Sequence, residues 1–174
     1  ANIVLINRNR RKKNRKHPLK NQKHHAQKAL PQMQSKKSLI TGGAGFIGSH
    51  LTEALLERGD EVYVLDDLST GSIDNIRHLL NHPNIHFHLD SILNKDLLSR
   101  LIPQVDRIFH LAAAVGVKYV IDNPLRSLET NVVGTHHVLE IAAHLHKPPV
   151  FIASTSEIYG KNDQVPLKED DDRV

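Results

Sequence analysis

From Lys36 onward, short apolar runs alternate with stretches whose apolar residues recur at helical spacing. Residues 38–41 read as a first strand, and 46–58 then place Ile47, Leu51, Ala54 and Leu55 on one helical face. Gly59-Asp60 closes that helix, and residues 61–65 make a second strand that ends at Asp66. A short helix near 73–80, a strand at 85–89 and a helix near 95–102 follow. A fourth strand at 107–111 runs into Ala112-Ala113-Ala114. The strongest helical pattern spans about 125–145, with Leu128, Val132, Thr135, Leu139 and Ala142 at steps of four, three, four and three. Pro148-Pro149 precedes a fifth strand at 150–153. Strand and helix in strict alternation predict a doubly wound α/β fold: a parallel sheet, right-handed crossovers, and helices on both faces.

The pattern is absent before residue 36. Residues 7–28 are polar, like-charged and nearly without apolar side chains, so burial cannot offset their ordering entropy and a disordered tail is expected. The chain therefore divides into a basic tail, 1–35, and a folded part, 36–174. Met33, the single Met, stands just before the first patterned element, which marks residues 1–32 as a candidate upstream extension. Charge follows the same boundary. Residues 1–32 hold ten of the 23 Lys and Arg and no acid, so residues 33–174 carry 13 bases against 19 acids, a net charge of −6. The overall +4 is thus no argument that the folded part binds nucleic acid. An arm acting through Arg10-Arg11-Lys12-Lys13, as a localisation signal or a phosphate-binding segment, is the weaker reading.

The absence of Cys excludes disulfides, thiolate metal sites and a Cys nucleophile, and suits a reducing compartment such as the cytoplasm. The longest apolar runs are too short to span a bilayer, so no membrane partner is expected. Thirteen His residues raise the question of a metal, but no triad with a carboxylate stands at a recognised ligand spacing, and none is expected. Asp170-Asp171-Asp172 reads as a solvated loop.

The chemistry is concentrated in Thr41-Gly42-Gly43-Ala44-Gly45-Phe46-Ile47-Gly48, between the first strand and the first helix. Glycines there permit a tight turn, let backbone approach a diphosphate, and let helix press on strand. The diphosphate would meet free N–H groups at the positive end of the helix dipole. An acid should end the next strand, placed for the ribose diol; Asp66 stands there, 24 residues after Gly42. A carboxylate at that place repels the 2′-phosphate of NADP, so NAD is the expected cofactor. The resulting architecture is a Rossmann fold.

With TGGAGFIGSHL and DDLSTGSIDNI in place, the chain resembles the extended short-chain dehydrogenase/reductases, the nucleotide-sugar epimerases, dehydratases and decarboxylases. HLAAAVG at 110–116, ETNVVGT at 129–135 and STSEIYG at 154–160 extend the likeness in the family's order, over about 36–172. The resemblance implies that Gly42, Gly45, Phe46, Ile47 and Gly48 hold the diphosphate and Asp66 the adenosine ribose. It places Asp90 and Ser91 beside the adenine, Leu111, Ala112 and Ala113 along the cofactor channel, and Asn131 near the fourth strand. Thr155 matches the family's catalytic Ser or Thr, and Glu157 stands as an active-site base. Without the surrounding motif, Thr155 reads instead as a strand-end residue capping its own backbone. The implied substrate is a nucleotide sugar, oxidised to a transient 4-keto intermediate while hydride passes to NAD. Relatives commonly dimerise through helices beside the sheet, which makes a homodimer the candidate assembly.

The branch of the family stays open. Ser156 stands where dTDP-glucose dehydratases carry an Asp that protonates the departing hydroxyl, which argues against that branch. DDLSTG resembles epimerases and decarboxylases, STSE followed by Tyr-Gly resembles UDP-glucuronate decarboxylases and GDP-mannose 4,6-dehydratases, and residues 160–169 lean toward the dehydratases. The family's Tyr-x-x-x-Lys pair is absent: the fourth residue after Tyr63, Tyr119 and Tyr159 is Asp67, Asn123 and Asp163. The expectation is an N-terminal piece that ends before the last strands and the substrate lobe, inactive by itself. A non-catalytic NAD-binding module is the competing reading.

Overall fold

Apolar side chains alternate across each strand of the sheet, and the alternation feeds two separate cores. The computed structural model describes residues 34–160 and 166–171. Residues 1–33 of the tail expected over 1–35, residues 161–165 of the 160–169 stretch, and residues 172–174 lie outside the described residues. Five strands, β1 (Lys37–Thr41), β2 (Glu61–Asp66), β3 (Ile85–Leu89), β4 (Arg107–His110) and β5 (Val150–Ile152), form one parallel sheet in the order β3-β2-β1-β4-β5. The doubly wound fold expected from the alternation is the fold observed. Along β1 and β2, Leu39, Tyr63 and Leu65 point to one core, shared with Leu98, Ile108, Val138 and Ile141. Ile40, Val62 and Val64 point to the other, shared with Leu55, Leu56, Ile76 and Ile85. Helices α1 (Phe46–Glu57) on one face, and α2 (Lys95–Leu101) and α5 (Thr135–His144) on the other, close these cores.

Two expected helical faces are corrected. On α1 the buried residues are Gly48, Ser49, Thr52, Leu55 and Leu56, while Ile47 and Ala54 are exposed. The polar members are satisfied locally: Ser49 Oγ donates to the Phe46 carbonyl at 3.0 Å and Thr52 Oγ1 to that of Gly48 at 2.8 Å. The helix expected over 125–145 is present as α4 (Pro124–Leu128), a π-helical stretch at Glu129–Gly134, and α5. Its buried residues are Ser127, Gly134, Val138, Ile141 and Ala142. Leu128 and Val132, expected inside, are 60% and 57% exposed, and Leu139 is exposed too. A π turn takes up extra residues, so a face counted at strict α-helical spacing loses register across it.

Two smaller differences appear in the connections. In place of the short helix near 73–80 there are two 3₁₀ turns, Ile73–Asn75 and Arg77–Leu79. An unanticipated helix, α3 (Val117–Asp122), follows the alanine run after β4.

Candidate functional site

In a sheet of this order the chain leaves β1 toward β2 and β3 on one side and toward β4 and β5 on the other, so a crevice opens beyond the ends of β1 and β4. The glycine turn fills the β1 side of that crevice. Gly42 has φ +74, a conformation open to glycine at little cost, and a Cβ there would lie 2.7 Å from the backbone nitrogen of Ala112. The turn closes on itself when Gly45 N donates to the Gly42 carbonyl at 3.1 Å. Gly48 presses against the same carbonyl: a Cβ on it would sit 2.1 Å from that oxygen. These contacts set the first turn of α1 directly over the strand end.

That first turn is bare. No side chain caps α1 and no acidic residue lies in its first turn. The N–H groups of Phe46, Ile47 and Gly48 belong to the helix's opening residues, which have no intrahelical partner. Ser49 N donates to Gly45 at 3.0 Å and begins the ladder. Phe46, at the mouth of the crevice, is 80% exposed. Uncapped donors at the positive end of a helix dipole, against backbone stripped of Cβ atoms, form a cradle for an oxyanion.

Across the turn, Asp66 ends β2 and is buried. Its Oδ2 accepts from Ala44 N at 2.9 Å and its Oδ1 from Leu68 N at 2.8 Å. The carboxylate thus braces the glycine turn with one oxygen and its own loop with the other. Each oxygen keeps a lone pair, which fits acceptance from a ribose diol. Leu68 adopts φ +57, a strained conformation for a non-glycine residue, and the Asp66 bond holds it there. The Ala44 carbonyl accepts from Ser72 N at 3.1 Å and from Asn75 Nδ2 at 2.8 Å, which ties the loop after β2 to the turn. Ala44, Leu68 and Asn75 were given no role in the sequence reading, although Ala44 lies inside the glycine segment and Leu68 and Asn75 inside DDLSTGSIDNI.

The neighbouring strand ends extend the same rim. Asp90 N donates to the Asp66 carbonyl at 3.2 Å, and Asp90 Oδ2 accepts from Asn94 Nδ2 at 2.8 Å. Asn94 in turn caps α2, its side chain accepting from Leu97 N. Ser91 Oγ accepts from Leu93 N at 3.2 Å. Leu111 N donates to the Thr41 carbonyl at 3.1 Å, Ala112 N to Thr41 Oγ1 at 3.2 Å, and Ala113 is exposed. Asn131, in the π stretch, holds both backbone groups of Ala114: Oδ1 accepts its N–H at 2.7 Å and Nδ2 donates to its carbonyl at 3.2 Å. Behind this wall His110 is buried with no charged neighbour to compensate, and desolvation pushes its pKa down to about 4.

Thr155 and Glu157 lie apart from that lattice. Thr155 Oγ1 accepts from Glu157 N at 3.3 Å, capping the 3₁₀ turn Ser156–Tyr159, and both residues are exposed. Among the described residues no hydrogen bond joins either one to the glycine turn. The segment is tied to β4 where Ala153 N donates to the His110 carbonyl at 3.2 Å. Among the described residues no group of three or more His, Cys, Asp or Glu is placed to hold a metal ion.

The family model described as GDP-mannose 4,6 dehydratase matches residues 39–173. A UDP-N-acetyl-alpha-D-glucosaminuronate decarboxylase from Bacillus cytotoxicus is 45% identical over 139 residues, which cover 80% of this chain and 42% of the decarboxylase. A UDP-N-acetylglucosamine 4-epimerase structure from Methanobrevibacter ruminantium, 32% identical, covers 82% of this chain and 45% of its own with a TM-score of 0.73. The dTDP-glucose 4,6-dehydratase from Streptomyces venezuelae, determined with NAD bound, is 36% identical with a TM-score of 0.73 over 79% of this chain and 45% of that one. The chain spans less than half the length of each of these proteins. Their names differ in the reaction and agree in the kind of molecule handled, a nucleotide sugar. By sequence over most of its length, and by a fold it shares with the two solved enzymes, the chain belongs to the extended short-chain dehydrogenase/reductases, in the GDP-mannose 4,6-dehydratase family.

Proposed function

We propose that residues 36–174 are the cofactor-binding part of an NAD-dependent nucleotide-sugar enzyme working through a transient 4-keto sugar, of the UDP-glucuronate decarboxylase or UDP-sugar 4-epimerase kind. One observation carries the reading: the bare start of α1, seated on Gly42 and facing a carboxylate already locked in place at the end of β2. Gly42, Gly45, Phe46, Ile47 and Gly48 hold the diphosphate, and Asp66 the ribose diol. Asp90 and Ser91 border the adenine; Leu111, Ala112 and Ala113 line the channel, whose wall Asn131 fixes in place. NAD, when bound, supplies a reversible hydride acceptor. In the sugar half, Thr155 hydrogen-bonds the hydroxyl to be oxidised and Glu157 serves as a base. The curated decarboxylase relatives support the decarboxylase branch. The description of the matching family model favours a GDP-mannose 4,6-dehydratase-like enzyme as the second reading.

Calorimetric titration tests the cofactor. NAD should bind, NADP at least about tenfold more weakly, and Asp66→Ala should lose most of the NAD affinity. No binding, or an unchanged Asp66→Ala, would overturn the reading. The chain alone turns over no nucleotide sugar, since no Tyr in it is followed at the fourth place by Lys. Absorbance of reduced cofactor should stay flat with UDP-glucuronate or UDP-glucose; a rise would refute this.

Two partner readings belong to the same proposal. Leu125, Leu128, Val132 and Leu139, with Val117 and Ile121, are exposed apolar side chains on or near the α4–α5 helix, and they suit a homodimer. Sedimentation equilibrium should give twice the chain mass, and Leu128→Glu should halve it. No described helix is long and apolar enough to cross a membrane, and cytoplasmic residence is proposed with that in mind.

A further inference from the structure

Three site segments meet at one buried side chain. Thr41 immediately precedes the glycine turn, His110 immediately precedes the Leu111–Ala113 wall, and Thr135 immediately follows the π stretch that holds Asn131. His110 Nδ1 lies 2.8 Å from Thr41 Oγ1, and its Nε2 lies 2.9 Å from Thr135 Oγ1. Thr41 Oγ1 also accepts from Ala112 N at 3.2 Å.

Counting protons gives the chain a direction. Thr41 is fully buried, and among the described residues the acceptor within reach of its hydroxyl proton is His110 Nδ1. Were Nδ1 protonated, it would donate to Thr41 and leave that hydroxyl proton buried with no acceptor, a costly arrangement. Nδ1 is therefore bare, and Nε2 carries the proton and gives it to Thr135. Thr135 is only partly buried and sits on a helix, so its own hydroxyl proton can reach a carbonyl of the preceding turn or water. The imidazolium form would leave the Thr41 proton stranded in the same way.

We propose that Ala112 N–H, Thr41, His110 and Thr135 form a one-way hydrogen-bonded strut, with His110 fixed as the neutral Nε2–H tautomer, that sets the glycine turn against the channel wall and the π stretch. His110 is a positioning residue: it acts on the cofactor through Thr41 and residues 111–113. The strut works together with Asn131, which holds Ala114 from the same helix. Between them the wall is pinned at both ends. The inference rests on the NAD-binding reading for its effect on affinity, but the tautomer stands independently of it.

The test uses the whole chain labelled with ¹⁵N-histidine. At neutral pH the His110 ring should show an unprotonated Nδ1 and a protonated Nε2, and Thr41→Val should abolish that bias by removing the donor to Nδ1. In NAD titrations, Thr41→Val and Thr135→Val should each raise the dissociation constant roughly tenfold, the scale of one lost buried hydrogen bond, and Thr41→Ser and Thr135→Ser should restore it. A protonated Nδ1, rapidly averaged tautomers, or Val variants that bind NAD as tightly as the parent would overturn the strut. A parent chain with the expected ring signature but no NAD affinity would overturn the cofactor reading and with it the positioning role, and leave the tautomer assignment standing.

Discussion

The ends of β1, β2 and β4 and the segment after β5 emerge from the same edge of the sheet, yet they are built differently. At the first three, side chains are bonded to the backbone of neighbouring segments: Asp66 braces Ala44 and Leu68, Thr41 holds Ala112, Asn131 holds Ala114. Central strands β1 and β2 are buried along almost their whole length. After β5, a three-residue strand with no buried position, Thr155 and Glu157 are exposed, and among the described residues their hydrogen bond is to each other, within one turn. The glycine-turn end is thus organised by contacts among the described residues. Among the described residues, Thr155 and Glu157 have no hydrogen bond to that end.

Four measurements break or sharpen this contrast. Gly48→Val should have the largest effect, because its first carbon would meet the Gly42 carbonyl, backbone that cannot step aside. A loss of about 4 kcal/mol in urea unfolding is expected, with NAD affinity abolished. Next comes acid. His110 has its pKa lowered from 6.5 to about 4 by burial, so between those values the unfolded chain binds a proton that the folded chain refuses. Stability is therefore full above pH 6.5, falls as pH drops toward 4, and levels off below. The loss is on the order of 3 kcal/mol, and His110→Gln should remove this part of the slope. Third, Asp66→Asn replaces one of two acceptors facing backbone N–H groups with a donor, and should cost about 2 kcal/mol by the same unfolding assay. Smallest are Thr155→Val and Glu157→Gln, each expected within about 0.5 kcal/mol of the parent and neutral for NAD binding. A Thr155 variant as damaging as Asp66→Asn would erase the contrast.

The strands, the glycine turn and the position of Asp66 could be read from the sequence because each depends on local rules: short apolar runs, turn chemistry, an acid at a strand end. The helix faces could not. On α1 the close approach enforced by Gly48 buries Ser49 and Thr52, whose hydroxyls return to the helix's own carbonyls, and hydropathy gives no sign of such a face. The sequence led to Asp66 as an expected ribose ligand but not to its hold on Ala44, because that bond joins residues 22 apart through a fold the spacing does not specify. Thr155 illustrates the reverse. Its backbone-capping role is local and is what the geometry records, whereas the catalytic role proposed for it draws on family resemblance alone.

The wide turn at Glu129–Gly134 has a consequence for how this gene segment can vary in length. Each residue of an α-helix advances the chain about 100° around its axis. Removing one residue there, so that the turn tightened to α geometry, would rotate everything downstream by about that angle. Val138, Ile141 and Ala142 would swing away from the sheet, and the contacts of Asn131 with Ala114 and of Thr135 with His110 could not both survive. Substitutions are tolerable at several exposed positions in this turn; a single-codon deletion is not.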